Sequence, residues 1–214
     1  MTTAPVDIVI IGGNISAAAL LDLASKSNLR PEKDVSITVI QGCAFLEWSM
    51  AATYFLANPD THAKFLSEDP TAFEYPKEQV KRYVYSPATG VNSKEKIVMC
   101  ANGEQYKYSI LVVATGYNLP LLAPRVGMSL VARKMEIQRW GRKLNEQGVR
   151  VVINGAGSIA IELAADIKLA NPSARVQMIS RDGSVLRAVL VGRNKKIKFA
   201  RFWKPKTFRF LLAR

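Results

Sequence analysis

The chain has 214 residues, 49% of them apolar, 22% charged and 8% aromatic, which describes one globular domain or two small ones and excludes a disordered chain. It lacks the run of roughly 18 uncharged apolar residues that a membrane-spanning helix needs; two cysteines are too few for a disulfide framework or a zinc site, and a single histidine argues against a catalytic triad or a histidine-rich metal site. The net charge of +13 is concentrated, since Arg193 to Arg214 holds nine basic residues and no acid, leaving +4 on the first 192 residues. Any chemistry must therefore be brought by a cofactor, with no metal site and no catalytic side chain expected.

The opening Met1-Thr2-Thr3-Ala4-Pro5 has no basic n-region, and Thr2 stands where a myristoylated chain has glycine, so a cytoplasmic protein is expected. Residues 6–11, Val-Asp-Ile-Val-Ile-Ile, form an apolar run ending at two glycines, the pattern of a strand buried on both faces of a parallel sheet. Gly12-Gly13-Asn14 turns into an Ala/Leu-rich helix, Ile15 to Ala24, and residues 35–40 form a second strand ending at Gln41. Strand, glycine turn, helix and strand within about thirty residues make a βαβ unit. Residues 43–75 are helical in patches, broken by Pro59 and Pro70.

Strands follow at Val80–Tyr85, Lys96–Cys100 and Lys107–Val113, the last two read as the arms of an antiparallel hairpin around Ala101-Asn102-Gly103-Glu104. The second arm runs on into Ala114-Thr115-Gly116. A proline-bearing linker, Asn118 to Pro124, precedes a basic amphipathic helix at 133–147. A second βαβ unit then repeats the first: strand Arg150–Ile153, turn Gly155-Ala156-Gly157, helix Ser158–Leu169 closed by Asn171-Pro172, and strand Ala174–Ile179.

Each turn is suited to the diphosphate of a dinucleotide. In the second, a GxGxxA after a strand and at the head of a helix, Gly155 permits the tight bend, Gly157 lets an anion reach the backbone, and Ala160 lets helix and strand pack closely. After the following strand, where an NAD site usually has an acid for the ribose 2′-OH, this chain has Ser180-Arg181, which suits a 2′-phosphate and favours NADPH. An exposed turn with a solvated arginine is the plainer alternative. The first turn departs from the motif, with Asn14 at the middle glycine and neutral Gln41 in place of the ribose-binding acid. Taken singly, Glu162, His62 and Cys43 are ordinary structural residues.

The segments Ile10-Ile11-Gly12-Gly13, Val112-Val113-Ala114-Thr115-Gly116 and Asn154 to Ala164 resemble, in order and spacing, the two-dinucleotide-binding-domain flavoproteins, or FAD-dependent pyridine nucleotide oxidoreductases. The resemblance is nearest to their ferroptosis-suppressor and type II NADH dehydrogenase branch. It implies an α/β fold of two Rossmann-like domains, both incomplete, with a β-hairpin insertion: an FAD portion over 1–117, an NAD(P) portion over 118–190, and a divergent basic tail over 191–214. It also implies that Gly12, Gly13, Asn14, Ala17 and Gln41 face FAD, with Ala114, Thr115 and Gly116 nearby and Val84 meeting the adenine through its backbone. Gly155, Gly157, Ser158 and Ala160, with Ser180 and Arg181, would hold NAD(P)H, and Glu162 would lie towards the nicotinamide–flavin junction. The implied chemistry is hydride transfer from nicotinamide to flavin and on to a quinone-like small-molecule acceptor. That chemistry needs positioning more than acids and bases.

Members of that family are longer and return to complete the FAD domain, so a shortened form with open strand edges is expected. The alternative function is a non-catalytic nucleotide-binding fragment that does not retain FAD, and a third is a basic adaptor on an inherited scaffold. The tail interleaves its charges with Phe199, Phe202, Trp203, Phe208 and Phe210. It reads as a divergent terminus with no evolved partner, as a peripheral contact for an anionic membrane, or, less favoured, as a nucleic-acid contact.

Overall fold

The computed structural model describes residues 5–27, 33–69, 80–180 and 209–212. In chain order they form β1 (Val6–Ile11), α1 (Ile15–Ser25), β2 (Val35–Gln41), β3 (Leu46–Glu47), α2 (Ala52–Ala57), β4 (Leu66–Ser67), β5 (Val80–Tyr85), β6 (Ala88–Asn92), β7 (Ile97–Cys100), β8 (Gln105–Lys107) and β9 (Ile110–Val113). Then come α3 (Leu130–Leu144), β10 (Arg150–Asn154), α4 (Ser158–Ala170), β11 (Arg175–Ser180) and β12 (Arg209–Leu212). Short 3-10 stretches, Ser49–Ala51 and Pro59–Phe65, flank α2. Packing divides the chain into two compact units, Met1–Ser49 with Ala63–Lys134, and Met50–His62 with Met135–Arg214.

In the first unit a parallel sheet runs β5-β2-β1-β9. Central β1 places Ile11 opposite Ile40 on one side and Val113 on the other. Successive side chains alternate between faces. Val9 and Ile11 join Ile40 and Val84 against Val98, Cys100 and Tyr106, whereas Ile10 joins Ile37 and Val39 against Ala17 and Leu21 of α1. Both faces are covered, which is why the β1 sequence is apolar without alternation. Burying a side chain such as Ile10 fully contributes about 1.5–3 kcal/mol.

The expected hairpin is real at its turn but differs beyond it. β6, β7 and β8 form a three-stranded antiparallel sheet, so the segment read as one arm, Lys107–Val113, is two strands. The Tyr108 N–H donates to Lys96 O (2.9 Å), still within the antiparallel layer, and the Ser109 N–H donates to Asp7 O (2.8 Å), already on β1. The chain changes partner between adjacent residues, freeing Ile110–Val113 for the parallel sheet. The basic helix starts at Leu130 rather than 133 because Ser129 caps it. Its Oγ accepts from the Ala132 N–H (3.2 Å), and its carbonyl accepts from the Arg133 N–H (3.0 Å).

The second unit repeats the pattern with a parallel β10-β11-β12 sheet. Ile153, Val176 and Met178 pack on Ala164 and Ile167 of α4, with Ala57 of α2. The edge of β11 expected to lie open is paired, since Met178 stands opposite Phe210 in β12. Part of the supposed tail is thus a strand; residues 193–208, including the other four tail aromatics, lie outside the described residues. The helix stop at Asn171 is as expected. Buried Asn171 donates from Nδ2 to Leu144 O and Glu146 O (both 2.9 Å) and accepts at Oδ1 from the Ser173 N–H (3.1 Å) and hydroxyl (2.7 Å).

Candidate functional site

The two glycine turns share one backbone construction, each within its own unit. The Gly12 N–H donates to Ile40 O (2.8 Å) and the Gly155 N–H to Ile179 O (2.9 Å), in each case the carbonyl at the end of the second strand. Both glycines have left-handed backbone, φ +107° and +128°, which side chains disfavour. Ala17 and Ala160 then occupy matching helical positions; Ala17 is buried, and a Cβ on Gly155 would sit 4.0 Å from that of Ala160.

The turns differ in what fills them. A Cβ on Gly12 would stand 2.2 Å from Ala114 O, and one on Gly13 would stand 2.2 Å from Gln41 Oε1. The chain's own backbone therefore requires glycine at position 12, whereas a side chain at position 13 would displace the end of the Gln41 side chain. Gln41 is only 8% exposed, and its Nε2 donates to Phe45 O (2.9 Å). Its Oε1 is buried with no hydrogen-bond partner. An orphaned acceptor against a glycine turn suits a donated ligand hydroxyl, so Gln41 fits a ribose. Asn14, the N-cap of α1, accepts at Oδ1 from the Ile15 N–H (2.8 Å) and donates from Nδ2 to Glu47 O (3.0 Å).

Behind Asn14 lies a pair that the sequence reading missed. Arg133, 0% exposed, meets Glu47 with two hydrogen bonds, Nε to Oε2 and Nη2 to Oε1, each 2.8 Å, and Nη2 also reaches Leu121 O (3.0 Å). The available signals were a lone acid in the apolar stretch Phe45-Leu46-Glu47-Trp48 and a cation on the buried stripe of α3 with Ile137 and Gly141.

In the second turn Gly157 is the N-cap of α4, with extended backbone and no side-chain cap bond. Among the described residues nothing would lie within 4 Å of a Cβ placed on it, and Gly157 and Ser158 are both exposed. Space and helix-end amides without an N-cap side chain are what a dinucleotide diphosphate needs, so this turn fits one. Glu162 lies exposed on α4, and Ser180 is half-buried at the end of β11. Arg181 lies outside the described residues.

In the first unit Val84 pairs with Ile40, its side chain buried in the core. The Ala114 N–H donates to Ile11 O (2.8 Å), which sets Ala114 against Gly12, and Thr115 and Gly116 continue into exposed chain. Both cysteines are free. Burial, and then Glu47, push the Cys43 thiol above its usual range, and burial with Glu104 does the same for Cys100. His62 is buried beside Phe55, ring centroids 4.5 Å apart.

Residues 6–194 match the family model described as pyridine nucleotide-disulphide oxidoreductase. The chain belongs to that family. Ferroptosis suppressor protein 1 of Xenopus laevis is 29% identical over 92 residues, 42% of this chain and 24% of that protein. The chain thus matches about a quarter of the length of this curated relative. Among solved structures, the NAD-dependent persulfide reductase from A. fulgidus superposes with a TM-score of 0.65 at 18% identity, covering 96% of this chain and 39% of that one. The sulfide:quinone oxidoreductase of Aquifex aeolicus does so with a TM-score of 0.59 at 18% identity, covering 82% and 43%. FAD and a pyridine nucleotide are the cofactor pair of this oxidoreductase family. Partial coverage of the longer relatives agrees with two incomplete Rossmann-like domains.

Proposed function

We propose that this member of the pyridine nucleotide-disulphide oxidoreductase family is an FAD-dependent NAD(P)H oxidoreductase that passes electrons on to a quinone-like small molecule. Bound together, the two cofactors would supply hydride transfer from nicotinamide to flavin. The observation that carries the proposal is the second turn, where the N-cap Gly157 makes no side-chain cap bond and no described residue lies within 4 Å of where its Cβ would be.

The chain's own residues would bind and orient. Gly155, Gly157 and Ser158 offer backbone to a diphosphate, Ala160 keeps α4 close to β10, and Ser180 stands at the ribose end, where Arg181 would favour NADPH. Glu162 would lie towards the nicotinamide. In the first unit Gly12, Gly13, Asn14 and Ala17 form the FAD turn, Gln41 accepts from the ribose, Val84 meets the adenine through its backbone, and Ala114 to Gly116 border the site. Residues 1–117 would be the FAD portion, 118–190 the nicotinamide portion, and 191–214 a basic segment that contacts anionic membrane in a salt-sensitive way. A quinone-like acceptor is supported by the name of the Aquifex enzyme, whose fold this chain shares.

The test is a visible spectrum of the purified protein, then anaerobic addition of NADPH or NADH, then a soluble quinone. Flavin absorbance that bleaches with NADPH and returns with quinone is expected. Protein that binds NADPH but never takes up FAD would support the second function, a nucleotide-binding fragment, which the self-capped Asn14 favours.

A further inference from the structure

We propose that Asn14 determines how firmly the first turn holds a dinucleotide, because its carboxamide occupies the helix-end amide that a diphosphate would otherwise take. The proposal rests on the FAD reading of that turn and deepens it. The two turns match in glycine backbone, strand hydrogen bond and helical alanine, and they part at the N-cap: Gly157 in one, Asn14 in the other. A helix's first amides have no partner within the helix and attract an anion or a capping side chain, one excluding the other. At α4 the N-cap is a glycine with no side chain to compete. At α1, Asn14 Oδ1 already accepts from the Ile15 N–H at 2.8 Å.

The cap is held from behind. Asn14 Nδ2 donates to Glu47 O, and Glu47 is fixed by its two hydrogen bonds with buried Arg133. Swinging the carboxamide away therefore breaks two hydrogen bonds at once. Yet beside the turn lies an unsatisfied acceptor, the Gln41 Oε1, buried without a partner against Gly13. A ligand hydroxyl would satisfy it. The first turn is thus built to receive a ribose while withholding one amide from the diphosphate. Asn14, held by Glu47 and Arg133, makes FAD binding weaker and more exchangeable than a glycine there would.

The experiment compares full-length wild type with Asn14→Gly and Asn14→Asp, reading FAD affinity by flavin fluorescence quenching and Ile15 amide protection by hydrogen exchange. Glycine is well tolerated at an N-cap, so Asn14→Gly will fold. Freeing one amide for an anion should tighten FAD binding about tenfold, with NADPH affinity unchanged as the internal control. In wild type the Ile15 amide should be protected before FAD is added; in Asn14→Gly it should become protected only afterwards. Asn14→Asp keeps the cap and adds a charge, so its FAD affinity should fall below wild type. Equal FAD binding by wild type and Asn14→Gly overturns the proposal alone. Absence of FAD binding from all three, with NADPH still bound, overturns it together with the FAD assignment.

Discussion

Replacing Arg133 by methionine would test whether the Glu47 pair holds the first unit together. The two side chains are 0% and 1% exposed and are joined by two hydrogen bonds of 2.8 Å. Removing the guanidinium takes the Arg133 charge away from the buried Glu47 carboxylate, and breaking a buried pair from one side costs about 3–5 kcal/mol. Domains of this size are stable by about 5–15 kcal/mol, so a third or more of the total is at stake. Replacing both partners, Arg133→Met with Glu47→Leu, removes both charges of the pair together, with Leu121 O among the groups that must adjust. That double variant should lie within about 2 kcal/mol of wild type. Urea titration read by hydrogen exchange of β1 and β2 amides reports on the first unit alone. A loss below about 1 kcal/mol in Arg133→Met, or a double variant that loses the sum of both single changes, would refute a role for charge pairing.

Other perturbations separate packing from binding. Gly12→Ala should prevent folding of the first unit, because its Cβ would stand 2.2 Å from Ala114 O at a left-handed φ; soluble yield and circular dichroism check this. Gly157→Ala, with open space before it, should change stability by about 0.5 kcal/mol or less while weakening NADPH binding, measured by calorimetric titration. Asn171→Ala removes four hydrogen bonds from a buried amide and should cost about 2–3 kcal/mol in urea unfolding. Cys43 and Cys100 have folded pKa values above the usual 9.0, so both should alkylate slowly near neutrality when followed by mass spectrometry. The same sign gives their effect on stability: it is fully present below pH 9.0 and is lost as pH rises through the higher folded values.

Both βαβ units were legible because their signals are local: an apolar run, a glycine bend, a helix with alanine at the close-packing position, and another apolar run. Ala17 and Ala160 needed only short-range sequence to be placed. The switch between Tyr108 and Ser109 was not legible, since nothing in either residue specifies whether its amide donates to Lys96 or Asp7. Glu47 and Arg133 are 86 residues apart, and each alone looks like an ordinary surface charge. Arg209–Leu212 was hidden because its four-residue strand sits among the densest charges of the chain, where patterning points to solvent rather than to a sheet. At the first turn, sequence placed Asn14 at the motif's middle glycine but gave no sign of what its carboxamide would bind.

The clash beneath Gly12 has a consequence for tracing ancestry. That position would resist drift even in a lineage that had abandoned flavin, because the protein needs its smallness simply to fold, so its persistence records architecture. Gly157 meets no such enforcer among the described residues, and an accumulation of larger residues there among descendants would be the earlier sign that a coenzyme had been given up.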